Sequence, residues 1–150
     1  MDNTKAIITI LEDKNGNQQL FDVVAKLSAD AKRDTNAAEL AHLVAQAFDY
    51  LEYVGVPPKH ERLFTGENLS GDPITIANVV KELNHAPPLL ELRANRRGYG
   101  AFRALFFYED INDKHHIYFT KAIIKKENNP PEFNQIVNES LKMLEGFLND

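Results

Sequence analysis

The run L89-L-E-L-R-A-N-R-R-G-Y-G-A-F-R-A-L-F-F-Y-E-D110 decides the fold. Leu89–Arg93 and Ala101–Tyr108 each read as a strand, and the basic, glycine-containing segment between them reads as a turn. The pair is a hairpin. Its second strand is apolar enough to lie deep in a core, yet it carries Arg103. An unpaired guanidinium in such a place is too costly to be incidental.

Working outward, His116–Ile124 reads as a further strand after the turn Asn112-Asp113-Lys114. Pro130-Pro131 open a last helix with Phe133, Ile136, Val137, Leu141, Leu144 and Leu148 along one side. Towards the N-terminus, Pro87-Pro88 precede the hairpin. Asp72-Pro73, an acid followed by proline, predicts the start of a short helix bearing Ile76, Val79, Val80 and Leu83. Leu40, Leu43, Val44, Ala47, Leu51 and Val54 form the stripe of a long helix, with Asn36 and Glu39 as its expected cap and Gly55 at its end. Leu20, Val23, Val24 and Leu27 mark a helix before it, and Ala6–Leu11 a first strand. The expected class is α+β: a compact antiparallel sheet of about four strands, two or three N-terminal helices on one face, and a C-terminal helix.

A chain of 150 residues without internal repeats fits one domain, 1–150. It has no cysteine, no apolar run of membrane-spanning length and no signal-peptide pattern, so a reducing cytoplasm and no membrane partner are expected. The net charge of −5 conceals an asymmetry. Residues 1–86 hold eight basic and thirteen acidic side chains, residues 87–126 eight and four, and residues 127–150 one and five. The hairpin region is the basic one, and local charge steers a polyanion. There is no phosphate-binding loop, dinucleotide fingerprint, nucleophile elbow or metal-ligand spacing, so no metal and no cofactor are expected.

Alternation along the strands puts Leu89, Glu91 and Arg93 on one face, with Arg103, Leu105 and Phe107 and with Phe119, Lys121, Ile123 and Lys125. The opposite face is Leu90 and Leu92; Phe102, Ala104, Phe106 and Tyr108; Tyr118, Thr120, Ala122 and Ile124. That set is apolar or small and is expected to pack on the helices. Arg93, Arg103 and Lys121 then share a surface suited to a phosphate or carboxylate. The alternative is that Glu91 pairs with Arg93 or Arg103. For Arg96 and Arg97, in the turn, the plain reading is solvated loop charge.

The succession D13-K-N-G-N17, Y50-L-E-Y-V-G55, E91-L-R93, F102-R-A-L-F-F-Y-E-D110, K125-K126 and a proline before the last helix resembles the RelE/ParE superfamily of bacterial toxins, in its HigB-like, phage-derived branch. The resemblance runs from about Ile7 to Phe147, with a longer segment than usual between Gly66 and Pro88. It implies a compact antiparallel sheet flanked by helices and a type II toxin neutralised by a small antitoxin, often a helix-turn-helix protein. Many members cleave mRNA on the translating ribosome without a metal; ParE members inhibit DNA gyrase. Carried over, the arginines are Arg93 and Arg103 and the paired lysines Lys125 and Lys126. Lys121 stands where the family often has histidine, and ENNPP replaces its T-x-K-T-P.

The implied reaction is attack of a ribose 2′-OH on the adjacent phosphorus. Arg93 and Arg103 would stabilise the phosphorane, and Lys121 would transfer the proton. Tyr99 and Tyr118 would stack on a base or orient the 2′-OH. Arg96, Arg97, Lys125 and Lys126 would hold the RNA backbone. A gyrase inhibitor and a catalytically inactive partner-binding domain are the alternatives on the same scaffold.

Overall fold

The computed structural model describes residues 4–149. In chain order the elements are β1 (Ala6–Ile10), α1 (Gln19–Ala31), α2 (Thr35–Val54), a 3-10 turn (Lys59–Glu61), β2 (Phe64–Glu67), β3 (Pro73–Ile76), β4 (Val80–Glu82), β5 (Leu90–Arg96), β6 (Gly100–Ile111), β7 (Lys114–Lys125) and α3 (Pro131–Leu148). Five strands form one sheet in the order β1-β7-β6-β5-β4, and β2 and β3 form a separate hairpin. β1 runs parallel to β7, which a chain-distant first strand is free to do; all other pairs are antiparallel. The class is α+β, with one strand more in the main sheet than expected.

The long β6–β7 hairpin is the spine. Its tip carries Asn112 and Asp113 at φ 52° and 65°, the left-handed geometry that Asn and Asp tolerate best among residues with a Cβ. α1 and α2 cover one face of the sheet. Leu40, Leu43, Ala47 and Leu51 of α2 meet Leu92, Phe102, Ala104 and Phe106 there. α3 covers part of the other face, where Ile136, Val137 and Leu144 join Leu105, Phe107 and Leu89. Among the described residues no helix is long and apolar enough to cross a membrane.

Three expectations need correction. The segment after Asp72 is not a helix: Pro73–Ile76 pairs with β2 and Val80–Glu82 pairs with β5. Its β-branched residues satisfy a strand as well as a helical stripe. Asn78 at φ 54° turns the chain between the two strands. The cap of α2 is Asp34, whose carboxylate accepts from the N–H groups of Asn36 and Ala37. Glu39 is buried instead and accepts from Leu69 N–H at 3.0 Å.

The third correction concerns faces. The β6–β7 register slips between Ala104 and Phe106, so Leu105 faces both Thr120 and Lys121. A bulge of this kind reverses the alternation beyond it. Phe119 therefore joins Phe106 on the α1/α2 face, and Tyr118 stacks on Phe107 under α3. Thr120 is buried beneath α3, its hydroxyl donating to Ser140 Oγ at 2.7 Å. Tyr108 lies beyond the helices, exposed, with its ring against His115.

Candidate active site

Arg93 and Arg103 face each other directly in the β5–β6 register. Both occupy the sheet face opposite α1 and α2, on the part bordered by the first turn of α3. Arg103 is only 6% exposed. Its Nη1 donates to Asn95 Oδ1 at 2.7 Å and to the Phe102 carbonyl at 2.8 Å. Glu91, also buried, lies between the pair: its Oε1 is 3.4 Å from Arg93 Nε and 3.9 Å from Arg103 Nε. Arg93 Nε is buried and makes no hydrogen bond among the described residues. One carboxylate thus answers two guanidinium groups and satisfies neither fully.

Two lysines complete the cluster. Lys81 is paired with Glu91 across β4 and β5. Lys125, on β7 two residues beyond Ile123, the register partner of Arg103, interacts electrostatically with Arg103, Glu91, Arg93 and Lys81, and its ammonium lies 5.0 Å over the Phe133 ring. Burial, then the neighbouring arginine charges, push the Lys125 amine below the usual lysine range. Burial and Arg93 likewise lower Arg103, to about 10, against the opposing pull of Glu91. At neutral pH Arg103 remains a cation. Four cations around one carboxylate leave room, electrically, for an added anion.

The other sequence-predicted residues lie elsewhere. Lys121 is turned to the β1–α1 loop and α3: it bonds Glu139 and lies 3.7 Å from Asp13. Among the described residues its ammonium shares no partner with Arg93 or Arg103. Tyr118 packs against Phe107 and Phe147, its hydroxyl 3.2 Å from Glu109. Arg96, Tyr99 and Lys126 are drawn to the helical side of the β5–β6 turn. Arg96 Nε donates to Asn36 at 3.0 Å, Tyr99 OH donates to Asp30 at 2.5 Å, and Lys126 sits 3.2 Å over the Tyr99 ring. Arg97 is exposed in the turn beside them. The Tyr99 phenol is pushed up to about 12 by burial and by Asp30, so it stays protonated.

Lys81 and Asn95 belong to the cluster but were not among the sequence-predicted site residues. Asn95 was within reach, because it continues the 91, 93 alternation on β5. Lys81 was hidden by the helical reading of its segment. Among the described residues no group of three or more His, Asp and Glu side chains is placed to hold a metal ion. No protein-family model, no curated protein and no solved structure matches the chain.

Proposed function

We propose that the protein is the toxin of a type II toxin–antitoxin pair, a metal-independent endoribonuclease that cuts mRNA in the cytoplasm, on the translating ribosome, and is held in check by a small helix-turn-helix antitoxin. The observation that carries this reading is the directly opposed Arg93–Arg103 pair, under-neutralised by Glu91 and flanked by a lysine of lowered basicity. A phosphodiester drawn to the arginines beside Glu91 meets two guanidinium groups that strengthen their hold as charge builds on the phosphorane. Lys125 in its neutral form accepts the 2′-OH proton, the 2′-oxygen bonds phosphorus, the P–O5′ bond breaks, and a protonated neighbour returns a proton to the 5′-oxygen. The products are a 2′,3′-cyclic phosphate and a 5′-hydroxyl. In this reading Lys125 takes the proton-transfer role assigned from sequence to Lys121. Arg96, Arg97 and Tyr99, at the β5–β6 turn, and Lys126 beside them hold the flanking RNA.

The test is induction in a bacterial host with and without a co-expressed antitoxin, followed by mapping of transcript ends. New 5′-hydroxyl ends within coding regions are expected, and they disappear when Arg103→Lys replaces the wild type. Intact transcripts with lost DNA supercoiling would instead indicate a gyrase inhibitor. One observation favours the catalytically silent, partner-binding alternative: Glu91 already stands between the arginines. Intact transcripts and unchanged supercoiling, with a tight antitoxin complex, are its signature.

A further inference from the structure

The outer edge of β7 is only half covered. β1 pairs with His115 to Phe119, and Leu11 N–H extends that contact to the Phe119 carbonyl. Beyond it, Gln19 at the start of α1 sets its side-chain amide where the next peptide unit of an edge strand would lie. Its Oε1 accepts from Ala122 N–H at 2.8 Å and its Nε2 donates to the Ala122 carbonyl at 2.8 Å. The amide imitates one residue of an added strand. Peptide groups along an antiparallel strand point alternately to its two edges, so those of Ile124 aim the same way as those of Ala122. Among the described residues they have no partner on that side. Alongside runs a groove of about 580 Å³, walled by Val23 and Lys26 of α1 and by Glu132 and Ile136 of α3.

We propose that this groove receives an extended peptide segment of a partner protein, added as a strand to the free edge of β7. Backbone is the occupant the edge asks for, since an amide already fills one of its slots. The segment has apolar side chains at successive positions rather than alternate ones. One face of it meets Val23 and Ile124, which pack towards the α1/α2 core; the other meets Ile136 and Ile123 beside α3. Its ends are acidic: three lysines, Lys26, Lys125 and Lys126, line the groove against two acids, Glu127 and Glu132. A segment that also reaches Ala122 displaces the Gln19 amide. This holds whether or not the arginine cluster cleaves RNA, and its test reads binding alone.

The probe is a synthetic octapeptide with a central valine-isoleucine-valine-leucine run and two aspartates at each end, added to the ¹⁵N-labelled full chain. Saturable NMR shifts along β7 and slowed exchange of the Ile124 amide are expected. The same peptide with alternate amides N-methylated, which cannot pair as a strand, binds at least about tenfold more weakly. Val23→Lys blocks the groove and abolishes the shifts. Equal binding of the methylated peptide, an Ile124 amide that exchanges as before, or no binding of the unmodified peptide overturns the proposal. The methylated control uses the wild-type chain, so it decides the matter even where Val23→Lys fails to fold.

Discussion

At the scale of single residues, the central fact is a guanidinium inside a hydrophobic strand. Arg103 reaches Asn95, the Phe102 carbonyl and Glu91 at once because its donors are spread over a planar fork. A lysine keeps the charge and loses the fork. Under the proposed function, Arg103→Lys is therefore expected to reduce RNA cleavage by about a hundredfold or more while preserving the fold, as single-turnover cleavage and circular dichroism would show. Arg103→Ala is the poorer test, because it also strips a buried carboxylate of a partner. Lys125 yields a second prediction. As the proton acceptor of the proposed cleavage it must be neutral, so the rate is expected to rise with pH and level off below the ordinary lysine value of 10.5. Lys125→Arg should remove that rise and most of the rate while leaving RNA binding in place. A pH–rate profile unchanged by this substitution would exclude the role.

At the scale of elements, the residues that alternate cleanly were readable and those beside irregularities were not. Glu91, Arg93, Arg103 and Lys125 share a face, as period-two reading of the strands expects. So do the apolar positions under α1 and α2 from Leu90 to Phe106. The single extra residue at the bulge moved Tyr118 and Thr120 under α3 and Phe119 away from it, because nothing in Y118-F-T-K121 signals a doubled position. Lys121 escaped for another reason: its partners Asp13 and Glu139 are distant in sequence and meet it only once β1, β7 and α3 are assembled. The run from Pro73 to Glu82 misled because Ile76, Val79 and Val80 fit either period. The bulge has an energetic test. Thr120 ties β7 to α3 by donating to Ser140 and lies 3.2 Å from the Leu105 carbonyl. Thr120→Val keeps the volume but leaves the buried Ser140 hydroxyl without that partner. Urea unfolding should show a loss of about 1–3 kcal/mol, and a loss near zero would show that α3 docks independently of this bond.

At the scale of the whole molecule, one histidine fastens the connection after α2 to the sheet. His115 Nδ1 accepts from Val56 N–H at 2.8 Å, a bond that needs the neutral ring. Burial lowers its basicity, Asp110 opposes that, and Lys5 adds to it. The native state thus binds the proton less readily than the unfolded chain, whose histidine titrates near 6.5. The stability this bond supplies is present above pH 6.5 and is lost as pH falls from there through the lowered native value. Thermal melts should decline over that window, and His115→Asn, which keeps an acceptor but no titration, should flatten the decline. The same region sets the order of assembly. The β1–β7 ladder joins Ala6 to His115 and Ile10 to Phe119, the first strand of the chain to the last. Contacts of such long range form late. A nascent chain therefore cannot seat Ala6–Ile10 until His115–Phe119 have been synthesised, so β1 waits unpaired while the strands it will border are still being made.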